Sequence, residues 1–191
     1  MNIIQTKIKD LLIIEPRVFA DDRGWFMESF NEQRFAAALA GLGQEIPNFV
    51  QDNHSYSKAG VLRGLHYQLA PHAQGKLVRV VQGKAWDVAV DIRQNSDTFG
   101  QWVGVELSAE NKTMFWIPAG FAHGFLALEN DTQFLYKTTN YYDQASERSL
   151  LWNDGQIAVD WPTPDLKDLI ISAKDLEAKS LAQVKQQGDL F

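Results

Sequence analysis

The sequence predicts an all-β protein, a single barrel or sandwich with small helical additions, and three observations favour this fold. Between about residues 49 and 152, short runs rich in Val, Ile and aromatic residues alternate with Gly, Asn, Asp and Ser turns. The runs recur at roughly ten-residue spacing, which is typical of sandwiches and barrels rather than of βαβ units. The chain has 191 residues, 45% of them hydrophobic, which fits one domain over residues 1–191 with a sizeable core.

The amino-terminal side predicts two strands and a helix before this core. Residues 11–19 form an apolar run that a proline interrupts, so we expect an edge strand there. An aromatic strand follows from Trp25 to Phe30, after a turn. Asn31 can cap a helix over residues 31–42, where apolar residues recur at helical spacing. At the other end of the chain, we expect a helical tail over about residues 172–188.

The core strands are predicted from apolar or alternating runs. One of them, Val61–Gln68, carries Arg63 and His66 three residues apart. Strand periodicity puts these two side chains on opposite faces unless Gly64 forms a bulge, as a glycine inside a strand often does. The other predicted strands occupy residues 77–82, 85–92, 102–107, 113–117, 124–128 and 132–137.

The composition excludes several functional classes. There is no cysteine, which excludes disulfides, thiolate catalysis and Cys-ligated metal sites. The net charge of −6 argues against nucleic acid as a partner, because binding to phosphates needs basic patches. The amino-terminal residues lack the apolar core of a signal peptide, and no stretch approaches the ~18 apolar residues of a membrane span. We therefore expect a cytoplasmic protein without a membrane partner.

Two of the four histidines, His66 and His123, lie in contexts that favour chemistry, whereas His54 and His72 are expected to be structural or surface residues. One hypothesis is an Fe or Mn site, which barrels of this size often build from His-x-His with a later Glu and His. The position two residues after His66 is Gln68, so that pattern is incomplete. Histidines and a carboxylate distant in sequence can still converge, and the metal site stays an alternative.

A metal-free hypothesis combines a His, a Tyr and a Lys in one apolar barrel. A neutral His is a good general base near pH 7, and a neighbouring carboxylate fixes its tautomer. A Tyr on the opposite side of a substrate can return a proton, and a Lys can stabilise an enolate oxygen. These three groups suffice to invert a carbon next to a carbonyl. The residue pattern alone does not select which residues hold these roles.

Arg63-Gly-Leu-His-Tyr-Gln68 resembles the dTDP-4-dehydrorhamnose 3,5-epimerase family, and further motifs follow in the family's order over nearly the whole chain. Any one motif is weak, but their common order is specific. Departures are few: Asp97, Thr138 and Asn140 stand where members often have Pro, Cys and Asp. The other matching segments are residues 22–28, 51–55, 75–83, 87–93, 96–100, 117–125, 136–142 and 171–175.

The resemblance implies a cupin-type jelly-roll β-barrel with short helices at its amino- and carboxy-terminal sides. It makes His66 the base, Asp175 its orienting partner and Tyr136 the proton donor on the opposite face. Lys76 matches the residue beside the C4 oxygen of the substrate. The implied reaction is inversion at C3 and C5 of dTDP-4-dehydro-6-deoxy-D-glucose, in dTDP-L-rhamnose synthesis. No cofactor and no metal are expected, because the C4 carbonyl accepts the negative charge.

The resemblance also implies a set of substrate-binding residues and a partner. The family is typically a homodimer with exchanged amino-terminal strands, so Phe19 and Arg23 are expected to serve the neighbour's pocket. Tyr142 matches the residue that stacks on thymine, for which an aromatic face is suited. The residues that match ligand contacts are Arg23, Glu28, Gln51, Asn53, Arg63, Lys76, His123, Tyr142, Glu147 and Lys174.

Several alternatives remain open from the sequence. Tyr136 has a structural interpretation as a core residue of an alternating strand, Lys76 and Arg63 as solvated charges, and Asp175 as the first turn of a helix. Related enzymes of the same fold epimerise C3 alone or isomerise the keto group. A non-catalytic or metal-dependent cupin protein is the alternative from a different class.

Overall fold

The computed structural model describes residues 1–162 and 168–191, which form mostly antiparallel strands and short helices. The helices are α1 (Glu32–Gly41), α2 (Ala173–Leu176) and α3 (Leu181–Gln187). The strands are β1 (Asn2–Gln5), β2 (Leu12–Glu15), β3 (Val18–Asp21), β4 (Gly24–Met27), β5 (Gln51–Ser57), β6 (Val61–Gln68), β7 (Lys76–Gln82), β8 (Lys84–Asp91), β9 (Trp102–Ser108), β10 (Met114–Ile117), β11 (Phe121–Ala127), β12 (Thr132–Thr138), β13 (Glu147–Ser149) and β14 (Ile170–Ile171).

Two sheets contain all of these strands except the separate hairpin of β3 and β4. The first sheet has the order β1-β2-β10-β7-β12-β5, and the second has the order β13-β6-β11-β8-β9 with β14 paired to β6. The chain repeatedly crosses between sheets, for example at the turn between β7 and β8, as in a jelly roll. The all-β prediction is confirmed. The β-sheet core is larger than the expected range of about residues 49–152, because β1 and β2 also belong to the first sheet.

The inner faces of the two sheets pack against each other. Val78 and Phe134 of the first sheet join Ala89 and Phe125 of the second in one buried cluster. Along each strand the alternate side chains point the other way, as the period of two requires. Polar residues at inward positions therefore lie in a largely apolar space between the sheets.

The helices cover the outer faces of the sheets. Phe35 and Leu39 of α1 pack with Trp116 on the outer face of the first sheet. Leu181 and Val184 of α3 are buried against the outer face of the second sheet. No helix in residues 1–162 and 168–191 combines the length and the apolar character that crossing a membrane would require.

The amino-terminal strands differ from the prediction at two points. The expected edge strand over residues 11–19 is wrong: it is divided at Pro16, and β2 is an interior strand because β1 and β10 pair with its two edges. Pro16 has no N–H to donate to a ladder, so it ends β2 instead. The aromatic strand expected over residues 25–30 is shorter, because β4 ends at Met27. Phe30 instead joins the aromatic cluster beside α1.

The helical regions confirm one prediction and correct another. The helix expected after Asn31 is α1, and the Asn31 side chain caps it by accepting a hydrogen bond from a backbone N–H of the first turn. The tail expected as one helix over residues 172–188 is two helices. Between them Lys179 bridges to Leu150, so this segment is extended rather than helical.

A bulge in β6 confirms the expectation for Gly64. Opposite β11, His66 pairs with His123 and Arg63 with Phe125, so β6 holds one residue more than its partner over this stretch. Gly64 has φ +123°, and a Cβ there would lie 2.5 Å from the backbone of the neighbouring strand. Only glycine fits this close approach. The bulge turns the side chains of Arg63 and His66 to the same, inner face.

Candidate active site

A cleft of about 530 Å³ opens between the two sheets and is lined by residues of both. The second sheet contributes His66 and His123, the first sheet contributes Lys76 and Tyr136, and the tail contributes Asp175. The structure thus brings together residues that span most of the chain. The predicted site residues in the cleft wall are Arg63, His66, Lys76, His123, Tyr136, Lys174 and Asp175.

His66 and Asp175 form a hydrogen-bonded pair in this cleft. His66 Nε2 lies 2.6 Å from Asp175 Oδ1, and Asp175 is buried. Ser172, the N-cap of α2, donates its hydroxyl hydrogen to Asp175 Oδ2 at 2.9 Å. Burial disfavours the ionised carboxyl, but the hydrogen bonds from His66 and Ser172 outweigh it and lower the pKa of Asp175 below its ordinary value. An ionised Asp175 keeps a hydrogen on His66 Nε2.

Tyr136 lies on the opposite wall of the cleft. It projects from β12 of the first sheet, whereas His66 projects from β6 of the second. Tyr136 is only partly buried, packs beside the inner core cluster and lines the cleft. Burial raises the pKa of its phenol, so the hydroxyl is protonated at neutral pH. Tyr136 is therefore both a residue that packs against the core and a residue that lines the cleft, so the structural and the functional interpretations are compatible.

Lys76 and His123 are two further polar residues of the cleft wall. Lys76 Nζ donates to the backbone oxygen of His66 at 3.4 Å. Burial lowers the pKa of Lys76 to about 8, while the charges of Asp87 and Glu147 oppose that change. His123 Nε2 lies 2.8 Å from Asp87 Oδ2, and burial lowers the pKa of His123, which favours the neutral ring.

Glu147 connects other predicted binding residues to Lys174 of the cleft wall, although Glu147, Tyr142, Gln51 and Asn53 do not themselves line the cleft. Its carboxylate accepts from the Tyr142 hydroxyl at 3.0 Å and forms an ion pair with Lys174 Nζ at 2.6 Å. The Tyr142 backbone N–H donates to Gln51 Oε1 at 3.2 Å, and Gln51 Nε2 donates to Asn53 Oδ1 at 2.9 Å. Tyr142 is 56% exposed, which leaves it accessible to a stacking partner. These five residues form one continuous set of polar contacts.

Three predicted binding residues have other partners in the described chain. Arg63 lines the cleft and donates to Ser57 Oγ at 3.2 Å. Arg23, at the tip of the β3–β4 hairpin, is exposed and pairs with Asp21, and Glu28 pairs with Arg34. Arg23 and Glu28 therefore do not line the cleft of their own chain.

Sequence reasoning missed several groups that shape this site. Asp87 partners His123, Ser172 holds Asp175, and Phe125 stacks on Phe134 with ring centroids 4.2 Å apart in the cleft wall. Asp87 could have been noticed in the sequence, because it places a carboxylate inside the apolar run of β8. Ser172 follows the N-cap preference, which was visible three residues before Asp175. No three His, Cys, Asp or Glu residues in the described parts of the chain group closely enough to hold a metal ion.

Comparison with known proteins identifies the family. The family model described as dTDP-4-dehydrorhamnose 3,5-epimerase matches residues 5–183. The chain belongs to this family. The dTDP-4-dehydrorhamnose 3,5-epimerase of Salmonella typhimurium is 57% identical over 183 residues, which cover 96% of this chain and 97% of the relative. The resemblance found in the ordered motifs is therefore confirmed.

Solved structures of this epimerase family share the fold. A crystal structure of dTDP-6-deoxy-D-glucose-3,5-epimerase from Legionella pneumophila in complex with dTDP-4-keto-L-rhamnose is 51% identical with a TM-score of 0.91, covering 99% of this chain and 96% of that chain. A 3′-monoepimerase from Streptomyces bikiniensis in complex with dTDP-quinovose is 33% identical with a TM-score of 0.89, covering 97% of this chain and 91% of that chain. The predicted cupin-type jelly roll is confirmed.

Proposed function

We infer that this protein is a dTDP-4-dehydrorhamnose 3,5-epimerase, an isomerase that inverts C3 and C5 of dTDP-4-dehydro-6-deoxy-D-glucose in dTDP-L-rhamnose synthesis. The family match over residues 5–183 carries this inference. The Legionella pneumophila relative binds dTDP-4-keto-L-rhamnose, a keto sugar nucleotide. The cleft supports the same conclusion, because a His–Asp pair and a Tyr face it from opposite walls.

His66 is the proposed base. The hydrogens on C3 and C5 are acidic because each carbon neighbours the C4 ketone, and their removal leaves an enolate with its charge on the C4 oxygen. With a hydrogen on Nε2 shared with Asp175, the neutral ring of His66 carries its lone pair on Nδ1. Asp175 then stabilises the imidazolium that forms when His66 takes the proton.

Tyr136 is the proposed acid, and Lys76 the proposed stabiliser of the enolate. Tyr136 gives its phenolic proton to the same carbon from the opposite face, which inverts that carbon and restores the ketone. His66 and Tyr136 recover their starting protonation states by exchange with water before the second carbon reacts. The ammonium of Lys76 stabilises negative charge on the C4 oxygen during each step. The net reaction consumes nothing, so the proposal includes no cofactor.

The nucleotide contacts carried over from the family complete the proposed site. Tyr142 stacks on thymine, and Glu147 holds Tyr142 and Lys174 in place through its two contacts. Arg and Lys side chains are suited to a diphosphate because they pair with its oxygens. The full proposed binding set is Arg23, Glu28, Gln51, Asn53, Arg63, Lys76, His123, Tyr142, Glu147 and Lys174.

A homodimer with exchanged amino-terminal strands is part of this proposal. The β3–β4 hairpin exposes Phe19, Trp25 and Phe26 by 48%, 57% and 65%. Neighbouring exposed aromatic residues favour a protein partner. Arg23 lies at the tip of the same hairpin, outside its own cleft, which supports a role in the neighbour's cleft. We also propose one domain over residues 1–191 and a cytoplasmic location, where a nucleotide sugar would be available.

A second candidate is epimerisation at C3 alone. The Streptomyces bikiniensis relative is a 3′-monoepimerase of the same fold, so the fold accommodates both outcomes. Both outcomes use proton exchange beside the C4 ketone and differ only in the carbons that react. Pocket shape around C5 would then decide between them.

Deuterium incorporation from D₂O into dTDP-4-dehydro-6-deoxy-D-glucose tests both candidates. We expect deuterium at C3 and C5 by NMR and mass spectrometry, and none with the His66→Ala variant. Label at C3 alone would favour the second candidate, and absence of label would contradict an epimerase. Metal analysis of the purified protein is the companion test. Stoichiometric Fe, Mn or Zn bound through His66 would contradict the metal-free mechanism.

A further inference from the structure

Asp87 is a fully buried carboxylate that the mechanism above does not use. It projects from β8 into the space between the sheets and has no exposed surface. Its Oδ2 accepts from His123 Nε2 at 2.8 Å. Its Oδ1 is buried and has no hydrogen-bond partner in the described residues. Burying a carboxylate costs folding free energy unless another group compensates its charge. Because only one of its two oxygens is hydrogen-bonded, the presence of Asp87 here suggests a functional rather than a stabilising role.

Lys76 is linked to Asp87 through the two histidines: it contacts the backbone of His66, which pairs across the sheet with His123, and His123 is bonded to Asp87. Within the described residues, its Nζ makes one weak hydrogen bond, a 3.4 Å donation to the backbone oxygen of His66. Burial alone would lower the pKa of Lys76, and the negative charge of Asp87 is the largest influence that opposes this. A substrate that fills the cleft removes water from Lys76, which makes a nearby counter-charge more important.

The other carboxylates near Lys76 are engaged elsewhere, and the nearby His123 and Tyr136 are neutral. Glu147 forms an ion pair with Lys174, and Asp175 is hydrogen-bonded to His66. His123 is held neutral by its burial, so it does not cancel the charge of Asp87. The phenol of Tyr136 is protonated at neutral pH. Of the two carboxylates whose charge raises the pKa of Lys76, Asp87 is therefore the one that no Lys or Arg of the described residues ion-pairs. Burial raises the pKa of Asp87, while His123 and the positive charge of Lys76 oppose that change, so Asp87 and Lys76 stabilise each other's charged form.

We propose that Asp87 is a positioning residue for the epimerisation, whose carboxylate keeps Lys76 in its ammonium form and holds His123 with a hydrogen on Nε2. The proposal rests on the role of Lys76 in the proposed function, because only the ammonium stabilises an enolate by charge. A neutral lysine would leave the C4 oxygen without that charge. Asp87 acts through Lys76 and His123 rather than by touching the substrate.

NMR titration of the unmodified protein, without substrate, tests the electrostatic part directly. We expect the Asp87 carboxyl carbon to have the chemical shift of an ionised group at pH 7. We also expect its shift to inflect at the pH where the Lys76 side chain titrates, near pH 8. A protonated Asp87 at pH 7 would overturn the proposal, as would a Lys76 titration that leaves the Asp87 signal unchanged.

The Asp87→Asn variant tests the consequence for catalysis. Loss of the charge should lower the pKa of Lys76 by roughly one unit or more. The alkaline limb of the kcat/KM profile should move down by the same amount, so the loss of activity relative to wild type should be several-fold larger at pH 8 than at pH 6. Equal loss of activity at every pH, with an unmoved Lys76 titration, would indicate a structural role and overturn the proposal.

Asp154→Asn is the matched control for this substitution. Asp154 is also buried, accepts backbone hydrogen bonds from Gln156 and Leu181, and lies outside the cleft lining. Its substitution should lower stability without moving the Lys76 titration, and a similar movement would count against Asp87. Failure of the proposed function and failure of the Asp87 proposal can be told apart. Absence of isotope exchange with the wild-type protein would contradict the epimerase function, whereas the titration without substrate tests only the coupling of Asp87 and Lys76.

Discussion

Nε2 of His66 lies 2.6 Å from Oδ1 of Asp175, although 109 residues separate them in the sequence. The parallel pairing of β14 with β6 brings the carboxy-terminal tail beside the strand that carries His66. Ser172 then caps α2 and accepts from the backbone N–H of Asp175 at 3.2 Å, which orients the carboxylate. The tail is thus a component of the cleft rather than an appendage.

The Asp175→Asn variant is expected to lose activity on the order of 10²–10⁴-fold, mainly in kcat. Asn can accept a hydrogen bond from His66 but carries no charge to stabilise the imidazolium. Ser172→Ala is the graded control, because it removes one hydrogen bond to Asp175 and leaves the charge, so its loss should be smaller. Steady-state kinetics measure both. Equal activity of Asp175→Asn and wild type would contradict the pair's role.

Tyr136→Phe is expected to impair turnover more than substrate binding, since it removes one hydroxyl and preserves the ring packed beside Phe134. His66 can still remove the proton in this variant. The rate of deuterium incorporation should therefore fall less than the rate of product formation. The readouts are kcat, KM and deuterium incorporation on the same substrate. Unchanged turnover would refute the acid role of Tyr136.

Lys76→Met is expected to increase stability at pH 7 while it removes activity. The pKa of Lys76 is about 8 in the folded state and about 10.5 in the unfolded state, so the unfolded chain binds more protons between these values and wild-type stability rises with pH there. Below pH 8 the folded protein holds a disfavoured ammonium. The variant should gain on the order of 1–3 kcal/mol at pH 7.

Urea unfolding of wild type and Lys76→Met at several pH values measures this difference. The gain should shrink as the pH rises from 8 and vanish near pH 11, where lysine is neutral in both states. A gain that does not depend on pH would attribute the effect to packing rather than to the charge. Such a trade of stability for function is common at active sites.

Subunit complementation tests the exchanged dimer. Arg23→Ala and His66→Ala homodimers should each be inactive if Arg23 serves the neighbour's cleft. After joint unfolding and refolding, half of the dimers would be mixed, and one of their two sites would be intact, so about a quarter of wild-type activity should return. Mixed dimers without activity would show that Arg23 acts in its own chain.

Local patterns predicted the strands of the core, because their periodicity depends only on neighbours in the sequence. The bulge at Gly64 was also predictable, since a glycine inside an apolar strand often marks a bulge or a close approach of another backbone. The position of a strand within its sheet was not predictable. Nothing in residues 11–19 indicated that β1 would pair with β2 and make β2 an interior strand. Pairing depends on which distant segment lies alongside, which local propensity does not encode.

By itself, the sequence determined the fold class, the absence of cysteine chemistry and, through the ordered motifs, the family with His66, Tyr136, Lys76 and Asp175 as candidates. Only the tertiary structure decided which groups share the cleft. It joined His66 to Asp175, left Arg23 and Glu28 outside their own chain's cleft and revealed the buried Asp87 bonded to His123. The physical reason is that distances and burial set the energies of charges, and both arise when remote segments pack together.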